Sequence, residues 1–349
     1  GGDCGDLYNF TPPSQDWLVS QAEILDAQVV KTPVHQTLIV RLNLQVPEHI
    51  DTGRQKRSDD CISLPVITEA RLYPGIPRLD IHTQVDNFAR DHRLRVHFPA
   101  PFAVQQADFD GHFEVTPRSL TLPDADQHWA ELPRPEKPQR YFTSISDQTL
   151  GLTVANRGLP EVEVLTQPGS QGNPAHSEIA ITLLRCIGWL SRDDLWNRKG
   201  HAGPGYATPG GQVPGEWEFD YAIIPHPGDW RGQINAPDSP AHLAYSYSAP
   251  LRAEAEPPGL IPPDGSFLSI SPASVIITAI KPAEDAAGWI VRGVNLTSEQ
   301  VSITVKIALP FDRIWKSNLL EQRDEPLAAT NGSLSLGLRG HEIFTLRIE

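Results

Sequence analysis

Polar and apolar residues alternate along much of this chain with a period of two. In Arg93-Leu94-Arg95-Val96-His97-Phe98 the apolar Leu94, Val96 and Phe98 share one face, and Arg93, Arg95 and His97 share the other. Leu79, Ile81, Thr83 and Val85 alternate likewise with Asp80, His82, Gln84 and Asp86. Such alternation marks a half-buried β-strand. Further strands are expected over 36–45, 70–73, 151–155, 161–165, 178–188 and 216–224. Turn-rich stretches such as HFPAP, NRGLP and QPGSQGNPAH separate them. Long helical periodicity is nearly absent. Many short strands without intervening helices predict an all-β protein built as a sandwich or barrel.

The pattern breaks at APLRAEAEPPGLIPPDGS (249–266), where five prolines occur without alternation. Residues 251–265 are therefore expected to form a semi-rigid linker. It would separate a large β domain over 1–250 from a small one over 266–349. The small domain carries seven short runs (FLSIS, VIITAI, WIVRGVNL, QVSITVKIAL, RIWKSNLL, SLSLGL and EIFTLRI), a number that suits an immunoglobulin-like sandwich.

Composition narrows the function classes. Among 349 residues, 43 are acidic and 29 basic, giving a net charge of −14. That balance disfavours a nucleic-acid partner, because a phosphate backbone demands clustered cations. No apolar run is long enough to span a bilayer, so no membrane partner is expected. Three scattered cysteines make neither a disulfide framework nor a zinc knuckle and fit a reducing cytoplasm. The chain has no Met and opens on Gly1-Gly2, directly into motif-like sequence, as a piece of a longer polypeptide would.

No nucleophile elbow, phosphate loop or metalloprotease motif occurs, and no carboxylate stands in a context that marks it as catalytic. Asp80 and His82 share a strand face and could chelate a metal, but one pair falls short of a ligand set. Arg93, Arg95 and His97 suit a solvated face better than an anion site. The densest chemistry is GWLSRDDLWNRKGHAGP (188–204). Ser191 and Asp194 predict a short helix there, ending near Lys199-Gly200 and followed by a glycine-rich loop. Either this segment braces a sheet, or Trp189 or Trp196 stacks on a sugar while Arg198 or His201 binds its hydroxyls.

The run LLRCIGWLSRDDLWNRKGHAGPGYATPGGQ resembles a signature of the C-terminal region of glycoside hydrolase family 38 α-mannosidases. Collinear segments resemble the same family: GDLYNFTP at 5–12, VDNFARDHRLRVHFP, FTSISDQTLGLTVANRGLPEVEVL, and the final GSLSLGLRGHEIFTLRIE. The resemblance implies a galactose-mutarotase-like supersandwich for the large domain. It also implies retaining, zinc-dependent hydrolysis of terminal α-mannosides, or of mannosylglycerate in close relatives. The zinc and both catalytic aspartates belong to an N-terminal catalytic domain that this sequence lacks. The chain is thus expected to hold no catalytic residue and no metal, to be inactive alone, and to partner that domain. It would supply rim loops for an α-mannoside or other carbohydrate, with Tyr8, Arg198, Trp196 and His201 as substrate-binding residues and Arg185 or Arg192 as rivals of Arg198. A stand-alone carbohydrate-binding module is the alternative, and a homo-oligomer is open.

Overall fold

A computed structural model describes residues 1–169, 174–253 and 265–349. The chain forms two compact units, 1–110 with 117–229, and 111–116 with 230–349. Both are built almost wholly from strands, as the alternation predicts.

Thirteen strands precede residue 230: β1 (Glu23–Lys31), β2 (Gln36–Pro47), β3 (Cys61–Leu72), β4 (Leu79–Asn87), β5 (His92–Pro99), β6 (Gln106–Asp110), β7 (Val115–Ser119), β8 (Lys137–Pro138), β9 (Phe142–Ser146), β10 (Leu150–Asn156), β11 (Glu161–Gln167), β12 (His176–Cys186) and β13 (Gly215–Pro227). They make a nine-stranded sheet ordered β1-β2-β3-β4-β13-β10-β9-β6-β7 and a four-stranded sheet ordered β5-β12-β11-β8. The paired strands are antiparallel throughout.

Inward residues of the two sheets share one core. Leu64, Ile81, Val85, Val154 and Tyr221 come from the large sheet, and Phe98, Val162, Ile179 and Ile181 from the small one. Phe98 meets Tyr221 edge-on with ring centroids 5.6 Å apart, a favoured aromatic geometry. The apolar stripe read on β5 thus faces the core through Phe98, with Leu94 and Val96 packed at its margin.

The polar stripe of β5 differs from the solvated face expected of it. Arg93 is buried, ion-paired with Glu136 at 2.7 Å, and lies 3.4 Å from the centroid of the Phe10 ring. Arg95 pairs with Glu163, and His97 stands 3.3 Å from Glu178. Glu178 on the adjacent β12, Glu163 on β11 and Glu136 just before β8 neutralise the stripe, and the N-terminal segment covers part of it. A single strand's pattern cannot show what a neighbouring strand supplies.

The second unit contains helix α1 (Pro240–Ser248) and strands β14 (Leu268–Ser271), β15 (Val275–Pro282), β16 (Trp289–Asn295), β17 (Val301–Ile307), β18 (Ile314–Ser317), β19 (Arg323–Leu327), β20 (Ser333–Leu338) and β21 (Ile343–Ile348). A three-stranded sheet, β14-β17-β20, and a five-stranded sheet, β15-β16-β21-β18-β19, enclose Val291, Ile303, Val305, Leu338, Phe344 and Leu346. Each of the seven predicted runs contributes a strand; β19, rich in charge, is the addition. The Ser239 side chain caps α1, with Pro240 at its first turn. Residues 230–250, placed by the sequence in the large domain, cluster instead with this unit, where Trp230 is buried and α1 sinks Leu243 and Tyr247. Of the expected linker, residues 254–264 lie outside the described residues. Among the described residues no helix is long and apolar enough to cross a membrane.

Candidate functional site

The site is built where the N-terminal segment meets the loop that follows β12. Two buried carboxylates organise it, Asp3 and Asp6, neither with any surface exposure. Asp3 accepts hydrogen bonds from the Gly5 backbone at 2.9 Å and from Arg185 Nε at 2.7 Å. Burial pushes its carboxyl up from the ordinary value, and Arg185 opposes that shift. Arg185 also donates to the carbonyls of Asp6, Leu7 and Asn9, so residues 6–9 wrap around one guanidinium.

Asp6 fixes the turn and the loop together. Its Oδ1 accepts from the backbone N–H of Tyr8 at 3.0 Å and of Asn9 at 2.9 Å, an Asx-type turn. Its Oδ2 accepts from the Arg192 backbone at 2.8 Å and from Arg198. Burial favours the protonated form, but the hydrogen bonds from Arg198, Asn9 and Arg192 outweigh it and hold the Asp6 carboxyl below its ordinary value. The turn admits no side chain at Gly5, where a Cβ would stand 1.9 Å from the Asn9 carbonyl oxygen.

Beyond β12 the chain doubles back rather than entering a helix. Leu190 N–H donates to Tyr206 at 2.8 Å and Thr208 N–H to Gly188 at 2.8 Å, and a bridge joins Trp189 to Ala207. The helix expected from Ser191 to Lys199 does not form. Its would-be capping group, Ser191 Oγ, accepts instead from Ala202 and Gly203 at 2.9 and 3.2 Å, and the Arg192 N–H is held by Asp6. Residues 130–132 run beside 197–199 through Leu132 N–H to Asn197 O (2.9 Å) and Lys199 N–H to Ala130 O (2.7 Å). Tertiary partners satisfy the groups that a helix start would have used.

The four residues expected to bind substrate have different fates. Tyr8 sits exposed at the tip of the turn, its hydroxyl against Gly203, where a Cβ would come within 2.8 Å of it. His201 lies half exposed on the same loop, its ring beside Gly205 and Nε2 3.7 Å from Asp193. Tyr8 and His201 thus both lie against the glycine loop, Tyr8 at Gly203 and His201 at Gly205. Trp196 is exposed but lies apart with the N-terminal segment, its indole N–H donating to Pro12 O at 3.4 Å and Arg134 5.7 Å from its ring centre.

Arg198 requires a correction. It is only 6% exposed, and its guanidinium is bonded to Asp6, to Asn9, to Ser191 Oγ at 3.4 Å and to the carbonyls of Arg192 (2.8 Å) and Gly200 (3.2 Å). A cation so enclosed positions the loop and presents no free donor to a ligand. Of its rivals, Arg185 is likewise spent on Asp3, while Arg192 pairs with Asp194 and lies 5.1 Å from the Trp189 ring centre. Pattern reading missed Asp3, Asp6, Asn9 and Asn197, although two aspartates in GGDCGD facing an arginine-rich loop were a signal. Asn197 ties the halves together, accepting from Thr11 Oγ1 and donating to Phe10 O, both at 2.9 Å.

Asp80 and His82, the pair that could have begun a metal site, are each engaged elsewhere. Asp80 is held by Arg78, His82 Nδ1 is 3.0 Å from Asp220, and among the described residues no three His, Cys, Asp or Glu side chains converge.

The two β-sheet units and the order of their strands are shared with a known family. Residues 2–194 match the model of the glycosyl hydrolases family 38 C-terminal domain, and 274–346 match that family's C-terminal β-sandwich domain. The chain belongs to glycoside hydrolase family 38. It is similar to a putative mannosylglycerate hydrolase of Halalkalibacterium halodurans, 29% identical over 300 residues, covering 85% of this chain and 30% of that protein. Mouse alpha-mannosidase 2C1 is 26% identical over 264 residues, covering 73% of this chain and 21% of that protein. The crystal structure of an alpha-mannosidase from Enterococcus faecalis V583 superposes with a TM-score of 0.78 at 26% identity, over 100% of this chain and 38% of that one. The chain thus spans less than a third of the length of these curated relatives.

Proposed function

We propose that the chain is the non-catalytic, substrate-closing part of a retaining, zinc-dependent α-mannosidase. The polypeptide that its longer relatives carry in addition would hold the zinc and the catalytic aspartates. The observation that carries this reading is the convergence of Tyr8 and His201 on one glycine loop, locked from beneath by Asp6 and Arg198. A preorganised phenol and imidazole at a loop edge suit the hydroxyls of a terminal sugar. Trp196, which lies with the N-terminal segment, is left out of this rim. Three unpaired cysteines suit a cytoplasmic protein. Mannosylglycerate is the second substrate to test, favoured by the similarity to the Halalkalibacterium protein.

The test uses a polypeptide joining this chain to the remainder that its relatives carry. Tyr8→Phe and His201→Ala are each expected to lower kcat/KM on an aryl α-mannoside about 10- to 100-fold, as loss of a substrate hydrogen bond does, with bound zinc unchanged. Unaltered kcat/KM in both variants would remove these residues from the site. Running mannosylglycerate beside the aryl mannoside separates the two substrate readings.

A further inference from the structure

A second cleft, lined by none of the glycine-loop residues, has Trp17, Leu18 and Val19 on one side and polar side chains on the other. The register of the large sheet sets Glu23 of β1 opposite Asn43 of β2, and Gln45 of β2 opposite Ser63 of β3. Asn43 and Gln45 are two residues apart and share a face with Ser63 and Cys61. The other face carries Leu42, Leu44, Val46 and Leu64 to the core. The edge of the sheet therefore presents a polar floor. Trp17, in the segment before β1, lines the same open cleft of about 520 Å³. That is the size of an ordinary small-molecule site.

The chemistry of the lining is selective. Trp17 keeps 47% of its surface exposed, while the buried Arg57 sits 5.8 Å from its ring centre and donates to its carbonyl at 3.4 Å, which steadies the indole. Ser63 Oγ donates to Asn43 Oδ1, which turns the Asn43 amide N–H groups outward. Among the described residues, the side chains of Gln21, Gln45 and Glu23 make no hydrogen bond or ion pair within the chain, and all three line the cleft. Glu23 is the one charged group in the lining, so phosphorylated and carboxylated ligands are repelled. An aromatic plate above amides and one carboxylate matches the apolar face and hydroxyl edge of a pyranose.

We propose that this cleft binds an uncharged saccharide, stacked on Trp17 and hydrogen-bonded by Asn43, Gln45 and Glu23. The site is separate from the Tyr8–His201 loop. It shares with the proposed function only the class of ligand.

Cys61 makes the test local. It lines the cleft and is exposed, whereas Cys4 and Cys186 are buried and their thiols are pushed up to about 11 and about 12 by that burial. The rate at which Ellman's reagent modifies the native chain is measured with and without methyl α-mannoside, maltotriose and cellotriose. Cys61→Ser confirms which thiol reacts. At least one sugar is expected to slow the reaction about tenfold when present at about ten times its Kd. Trp17→Ala and the milder Asn43→Ala should weaken this protection while Cys61 stays reactive, and Tyr8→Phe should leave it intact. No protection by any of the sugars at about 0.1 M, a weaker affinity than useful binding, would overturn the proposal. So would protection that survives both cleft variants or vanishes with Tyr8→Phe. Failure here leaves the loop test untouched, because Cys61 reports only on the cleft.

Discussion

Arg198→Ala is expected to cost the chain about 3–5 kcal/mol of unfolding free energy, the usual penalty for removing one partner of a buried ion pair. Asp6 has no exposure, and without the guanidinium its carboxylate would keep only backbone donors. Arg198 also closes onto the carbonyls of Arg192 and Gly200 and onto Asn9, so its loss frees both ends of the 191–200 segment. Urea unfolding followed by tryptophan fluorescence measures the cost. The double variant Asp6→Asn/Arg198→Leu should be less destabilised than the two single losses added together, by about 1 kcal/mol or more. A loss below about 1 kcal/mol for Arg198→Ala, the value of an exposed pair, would mean that the clamp is not buried in solution.

The second large effect is acid sensitivity at His92. This residue is 2% exposed at the start of β5, with Nε2 3.0 Å from Asn87 Oδ1. Asn87 Nδ2 donates to the Val213 carbonyl at 3.1 Å, so its Oδ1 is turned to accept from the imidazole. Burial holds the ring neutral and lowers its pKa from 6.5 to about 3. Unfolded His92 takes up a proton as pH falls through 6.5, whereas the folded residue does so only near 3. The unfolded state therefore binds more protons in that window, and stability present above 6.5 is lost as pH falls toward 3. Between pH 7 and 4 the contribution is about 3 kcal/mol, at about 1.4 kcal/mol per pH unit. His92→Gln retains a donor for Asn87 and abolishes the titration. Its unfolding free energy should fall less than the parent's by about that amount over the same range. Equal pH dependence in the two proteins would show that His92 does not carry it.

The strands were legible because alternation is local: β4 and β5 announce themselves within eight or nine residues, and every apolar run of the second unit became a strand. β1 was not legible. All nine of its residues are exposed, so no buried face imposes a pattern on EILDAQVVK. The candidate site was only half legible. Tyr8 was read from a family-like motif and His201 from the chemistry of the 188–204 run, and both lie against the glycine loop. The role of Arg198 depends on Asp6, 192 residues away, and no local rule reveals that pairing. The same distance explains the missing helix, since Ser191 looks like a cap until Ala202 and Gly203 claim its oxygen. Arg93 misled for a related reason: Phe10 and Glu136 bury it from outside its own strand.

In the proposed function this chain shapes a sugar site without performing the chemistry. This is tested most directly by assaying aryl α-mannoside hydrolysis on the chain alone and on the polypeptide extended with the remainder found in its family 38 relatives. No turnover is expected from the chain alone, and hydrolysis is expected from the extended protein. Hydrolysis by the chain alone, at a rate near that of the extended protein, would contradict the proposed function.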